Sequence, residues 1–403
     1  MLLRCAKEVA GEHHEGRPFG AALPLVAQVL TEALRREPEL VLEVIGSPDV
    51  VCHLLALESG ARSASECLNA AIVAILVALA SAGSSGRSVL AESVLWQAPI
   101  ERLIDRQRGL AFAFAPPVRA LVAGPLGVDL ELATGRHCAL SELVDDDTKA
   151  PGVSLSRPFH SISETIPTLF LSEIDTNPLN QLEGHPDKHG NELSLGSRPV
   201  KQWTEALGSA LDLIRVGLPT WFDELPLALE RLIPVGFEPE QHLSASYREA
   251  PGLAYLTLHP NPVTLAEAII HETQHGKLNL LSWLDPVLRN GLTTWTSSPV
   301  RPDLRPLMGV LLAVHAFVPV SAFHLGLHQA GHPLAQRPEF AERRRQVVAG
   351  NNHGLAVLQA QAQATVVGAR LLEGLQRLHQ TMSSALPSSE TTPPGEAQLA
   401  AFG

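Results

Sequence analysis

His271 and His275 stand four residues apart in a stretch that is otherwise apolar at Leu265, Ala268, Ile269, Ile270 and Leu278. Residues at that spacing share one face of an α-helix, so both imidazoles converge on a single point. Glu272 projects beside them and completes an HExxH pattern. Two histidines and a glutamate buried in such a helix need partners, because unpaired polar burial costs roughly several kcal/mol. A metal ion is the partner that the spacing fits, with His271 and His275 as ligands and Glu272 acting on what the metal binds. The helix start is expected at the T-x-x-E capping box of Thr264 and Glu267, just after Pro262, and its end near Leu284, where Asp285 and Pro286 follow.

Around this helix the chain reads as mainly α with a small β component, an α+β fold with a zincin-like HExxH helix in a helical core. Its 403 residues are enough for two domains or one large one. Hydrophobic residues make up 45%, chiefly Leu, Ala and Val, which marks a globular chain suited to helices. Helices are expected over 24–36, 39–45, 65–82, 200–216, 221–232 and 340–380. Strands are expected over 118–122, 128–133, 168–171 and, as an exposed edge, 254–259. A polar loop over 175–198 carries His185 and His189, read as surface or lid residues. The acidic run at 145–147 divides a mostly helical N-terminal region (1–150) from a metal-binding catalytic domain (151–382). The Ser, Thr, Pro and Ala tail (383–403) is expected to be disordered.

The net charge of −12 and the lack of a long Lys/Arg stripe argue against a nucleic-acid partner. Arg343, Arg344 and Arg345 read as a solvated helix face. The apolar runs 68–82 and 307–323 read as core helices, with no membrane partner. Cys5, Cys52, Cys67 and Cys138 form no CxxC pair, and the N-terminus lacks the pattern of a secretory signal, so a cytoplasmic protein is expected.

A catalytic metal needs a third protein ligand. No Glu occurs between Glu272 and Glu339, and Leu278 and Leu281 occupy the positions that a longer HExxHxxGxxH motif would use. The remaining candidates are His315, His324, His328, His332, Asp285 and Asp303. His315 is favoured because it lies inside a long apolar run; His324, His328 and His332 form a stripe that surface exposure explains equally well. Between Asp285 and His315, Arg301 and Arg305 are framed by Pro299, Pro302 and Pro306. Such a stiff arginine pair suits a carboxylate on a cosubstrate or peptide, or else a structural ion pair with Asp303.

The stretch from about 244 to 323 resembles the HExxH-motif peptide-modification proteins encoded near ribosomally made peptide precursors. The resemblance rests on Ser244-Ala245-Ser246, Glu249-Ala250, the run from His271 through Leu278, the Arg-Pro-Asp-Leu-Arg-Pro-Leu segment at 301–307, Gly309 and the helix holding His315. It implies a 2-oxoglutarate-dependent peptide β-hydroxylase of the dioxygenase class. Fe(II) would replace a peptidase zinc, Arg301 and Arg305 would anchor the far carboxylate of 2-oxoglutarate, and the partner would be a precursor peptide. The alternatives are a zinc metallopeptidase with Glu272 as general base, and a peptide-binding module without catalysis.

Overall fold

The computed structural model describes residues 22–60, 62–81, 88–144, 151–181, 184–185, 188–297 and 304–385. The chain is a mixed α+β protein with more strand than expected. Its contacts divide it into two compact units: one holds Met1–His160 with Ser172–Gly190, the other Ser161–Leu171 with Asn191–Gly403.

In the first unit, helices α1 (Ala22–Arg36), α2 (Pro38–Gly46), α3 (Pro48–Glu58) and α4 (Ala64–Ser81) share a core with an antiparallel sheet. That sheet is built on β1 (Val94–Asp105), β2 (Leu110–Gly124), β3 (Gly127–Glu131) and β4 (His137–Ala139), with β5 (Val153–Ser156) paired to β2. The expected pair at 118–122 and 128–133 is thus the middle of a larger sheet, and a region read as mostly helical carries four strands beside its four helices. The signal was present in β1, whose side chains alternate between buried and exposed from Val94 through Ile100. Pro99 obscures it, since proline argues against a strand. Here the Pro99 carbonyl accepts a hydrogen bond from Asn69 Nδ2 at 2.9 Å, and Asn69 Oδ1 accepts from Trp96 Nε1 at 2.8 Å. One α4 side chain therefore ties the helix to the strand.

The second unit carries a five-stranded sheet in the order β11–β12–β10–β7–β6. These strands are β6 (Phe159–Ser161), β7 (Phe170–Ser172), β10 (Leu229–Phe237), β11 (Ser244–Ala245) and β12 (Gly252–Leu258). A two-residue ribbon of β8 (Gly184–His185) and β9 (Lys188–His189) belongs instead to the first unit, and the side chains of His185 and His189 lie outside the described residues. Strands β7, β10 and β12 run parallel, whereas β11 is antiparallel to β12. The expected exposed edge at 254–259 is an inner strand, buried from Leu253 to Leu258. Parallel strands covered on both faces lose the strict alternation that marks an edge.

Helix α5 (Val200–Gly217) matches expectation, but the helix expected over 221–232 does not form. Instead α6 (Pro219–Glu224) gives way to a 3₁₀ turn at Leu225–Leu227, and the chain enters β10. Pro226 cannot continue an α-helix, and the following run Leu229–Phe237 is taken up by the middle of the sheet. The remaining elements are α7 (Pro262–Leu284), the ribbon of β13 (Trp295–Ser297) and β14 (Leu304–Pro306), α8 (Leu307–Gln329), α9 (Pro338–Gln361) and α10 (Val366–Ser384). The disordered tail expected from 383 falls almost wholly outside the described residues. Among the described residues two helices are long and apolar enough to cross a membrane, α4 and α8; 56% and 83% of their apolar windows are buried in the protein.

Candidate metal centre

Helix α7 carries the HExxH residues and is capped differently from the expected box. Asn261 is the N-cap, its side chain accepting from Val263 N at 3.0 Å, and Pro262 occupies the first turn. Asn-Pro is the stronger start signal, since Asn caps well and Pro needs no donor there. Glu267 cannot serve as the capping glutamate because it is drawn into the interior. At the other end Asp285 closes the helix, accepting from Val287 N at 2.7 Å and from Thr365 Oγ1 at 2.6 Å. Ten residues beyond His275, about 15 Å of helix, Asp285 is committed to this turn and is not a metal ligand.

Within α7 the ligating atoms of His271, Glu272 and His275 all lie within 4.8 Å of one another, the one such cluster among the described residues. The two imidazole centroids are 4.2 Å apart, and the ring of Phe317 packs edge-on against His271 at 4.8 Å. Ser244 Oγ of β11 donates to Glu272 Oε1 at 2.6 Å, leaving Oε2 3.7 Å from His275 Nδ1. Burial holds the His271 ring well below the ordinary histidine range, assisted by the neighbouring His275 and Arg343 and opposed by Glu267. Burial likewise lowers His275, against the pull of Glu272. Both rings are therefore neutral at pH 7 and offer lone pairs to a cation.

His315 comes from α8, which packs along α7. It lies outside the 4.8 Å cluster, but its backbone carbonyl accepts from Gln274, the residue before His275, at 3.4 Å. Burial and the neighbouring His275 lower its ring to about 4. His315 Nδ1, His275 Nε2 and Glu272 Oε2 are all buried without a hydrogen-bond partner. Buried polar atoms without a partner call for an explanation. Three of them on residues of α7 and α8, two belonging to the one His/Glu cluster among the described residues, fit a cation supplied from outside the chain.

No protein-family profile matches the chain, and no curated protein matches it significantly. The resemblance therefore rests on the motif residues themselves.

Sequence reasoning missed the polar network beneath the cluster. Glu267, one turn before His271, accepts from Arg343 Nε and Nη2 at 2.9 and 2.8 Å, while its other oxygen lies 2.8 Å from His324 Nε2. Burial alone would raise the Glu267 carboxyl, but the Arg343 guanidinium and His324 outweigh it and bring it down to about 2. His324 is thus a fully buried partner of Glu267, not part of a surface stripe; His328 is exposed, and His332 caps the 3₁₀ turn at Pro333–Gln336. The arginine run is not a solvated face either, since Arg343 holds Glu267 and Arg344 is buried. The recoverable signal was the spacing: Glu267, His271, Gln274 and Leu278 recur on one helix face.

Arg301 and Asp303 lie outside the described residues. Arg305 sits in β14, its side chain running along Gly309 in the first turn of α8. Gly309 stands six residues before His315, about 9 Å along the helix axis.

Proposed function

We propose that the protein is a metal-dependent peptide-modifying enzyme, an Fe(II)/2-oxoglutarate dioxygenase that β-hydroxylates a residue of a ribosomally made precursor peptide. The metal would be held by His271, His275 and His315 on a zincin-like HExxH helix. The observation that carries this reading is the trio of buried, partnerless atoms on His275, Glu272 and His315. A metal held by three protein ligands supplies open positions for a 2-oxo acid and for O₂. The chain's own residues then orient and enclose. Neutral imidazoles donate their lone pairs, Ser244 fixes one oxygen of Glu272, and Phe317 walls off one side of His271. Arg305, with Arg301, would take the far carboxylate of 2-oxoglutarate through charged hydrogen bonds.

One observation favours a second reading. Glu272 belongs to the cluster, with one oxygen pinned by Ser244 and the other unpartnered, which also suits a general base in a zinc metallopeptidase. Incubating a candidate precursor peptide with the enzyme, Fe(II), 2-oxoglutarate and O₂, then weighing it by mass spectrometry, separates the readings. A gain of one oxygen supports the hydroxylase and a cut peptide the peptidase. An unchanged peptide that still binds supports a non-catalytic module. Glu272→Gln is expected to keep the metal and a measurable share of oxygen insertion, because an oxygenase does not require that group to take a proton from water. Loss of all turnover with full metal occupancy would move the assignment to the peptidase.

A further inference from the structure

Pro319 lies inside α8. Proline has no N–H, so the carbonyl four residues earlier, that of His315, loses its helical hydrogen bond. Gln274 of α7 fills the gap, its Nε2 donating to the His315 carbonyl at 3.4 Å. The orientation of that amide is fixed by chemistry. Trp221 Nε1 is a donor only, and it lies 3.0 Å from Gln274 Oε1, so the amide nitrogen must be the end that meets His315. Trp221 is itself held in place: the Lys277 ammonium lies 5.2 Å over its ring and pairs with Glu224 at 2.8 Å.

Gln274 immediately precedes His275. One contact thus joins the residue of α7 that precedes His275 to the residue of α8 whose Nδ1 has no partner. Gln274 and His315 are only 7% and 8% exposed, so bulk water does not substitute for that contact.

We infer that Gln274 is a positioning residue: by capping the carbonyl that Pro319 leaves open, it locks His315 beside His275 and sets the third arm of the metal centre. This rests on reading His271, His275 and His315 as a metal site, and not on which metal or reaction the site serves.

The test uses the full chain and two readouts. The first is Zn(II) and Co(II) affinity by chelator competition. Gln274→Met keeps the length but removes the donor, and it should weaken both metals roughly ten- to a hundred-fold, as loss of a residue supporting a ligand does. The second is the urea midpoint of the metal-free protein. Gln274→Met should lower it in the wild-type background and much less alongside Pro319→Ala, where the helix regains the N–H that satisfies the His315 carbonyl. Should Gln274→Met not fold, Trp221→Phe removes the donor that orients the amide and should weaken metal binding in the same direction. Wild-type metal affinity in Gln274→Met, or equal midpoint losses in both backgrounds, overturns the proposal. A wild-type protein that binds none of Zn(II), Co(II) or Fe(II) overturns the metal reading and the positioning role with it, while the urea comparison still reports whether Gln274 caps the carbonyl.

Discussion

His275→Ala is expected to abolish stoichiometric metal binding and turnover while leaving the fold intact, and His271→Ala should do the same. Removing one of three ligands leaves a two-point chelate that competes poorly with water and buffer. The fold should survive because neither ring is bonded into the core. His275 Nδ1 lies 3.7 Å from Glu272 Oε2, beyond hydrogen-bond distance, and His275 Nε2 is buried without a partner. Deleting an unsatisfied buried group costs less than deleting a satisfied one. Metal content after purification, set beside the circular dichroism spectrum and melting temperature of the metal-free protein, checks both halves. Full occupancy in either variant would remove α7 as the site.

Glu267→Ala should produce the largest loss of stability among the substitutions considered. Glu267 of α7 neutralises Arg343 of α9 and joins His324 of α8, so one carboxylate ties three helices together. Breaking a fully buried pair by removing one partner costs about 3–5 kcal/mol; Arg343 is 32% exposed, so water offsets part of this and about 2–3 kcal/mol is expected. For a unit of this size that is a fall of roughly 10 °C in melting temperature. The sign with pH follows from the depressed carboxyl, ordinarily 4.5 and here about 2. A group lowered on folding adds stability that is fully present above its unfolded pKa and is lost as pH falls through the folded value. The wild type should therefore lose about 3 kcal/mol from this group between pH 4.5 and 2, and Glu267→Ala should lack that component. Urea denaturation at a series of pH values measures it; parallel curves for the two proteins would show that the pair contributes no linkage.

The helix that matters most was legible because its pattern is local. Four-residue spacing, an apolar setting and the stop at Asp285 and Pro286 placed α7 to within two residues. His315 was singled out by the same logic, as a titratable group in an apolar run, and that run is the buried helix α8. What the sequence hid depends on pairs far apart in the chain. Glu267 looked like a cap because its local frame matches one; only Arg343, 76 residues away, and His324, 57 away, draw it inward. Strand β1 was hidden by Pro99, whose carbonyl is satisfied by a helix rather than by a ladder. Strand β12 passed for an edge because its inner place in the sheet is conferred by β10 and β11, not by its own residues.

Where α5 ends, Gly217 meets Gly326 of α8, and a β-carbon on Gly326 would overlap the Gly217 carbonyl. The two backbones touch, and only glycine at both positions allows so close a crossing. His315 lies eleven residues, about 16 Å, further along α8. Two residues with no side chain thus fix where α8 crosses α5, and bulk added at the crossing would displace the helix that carries His315.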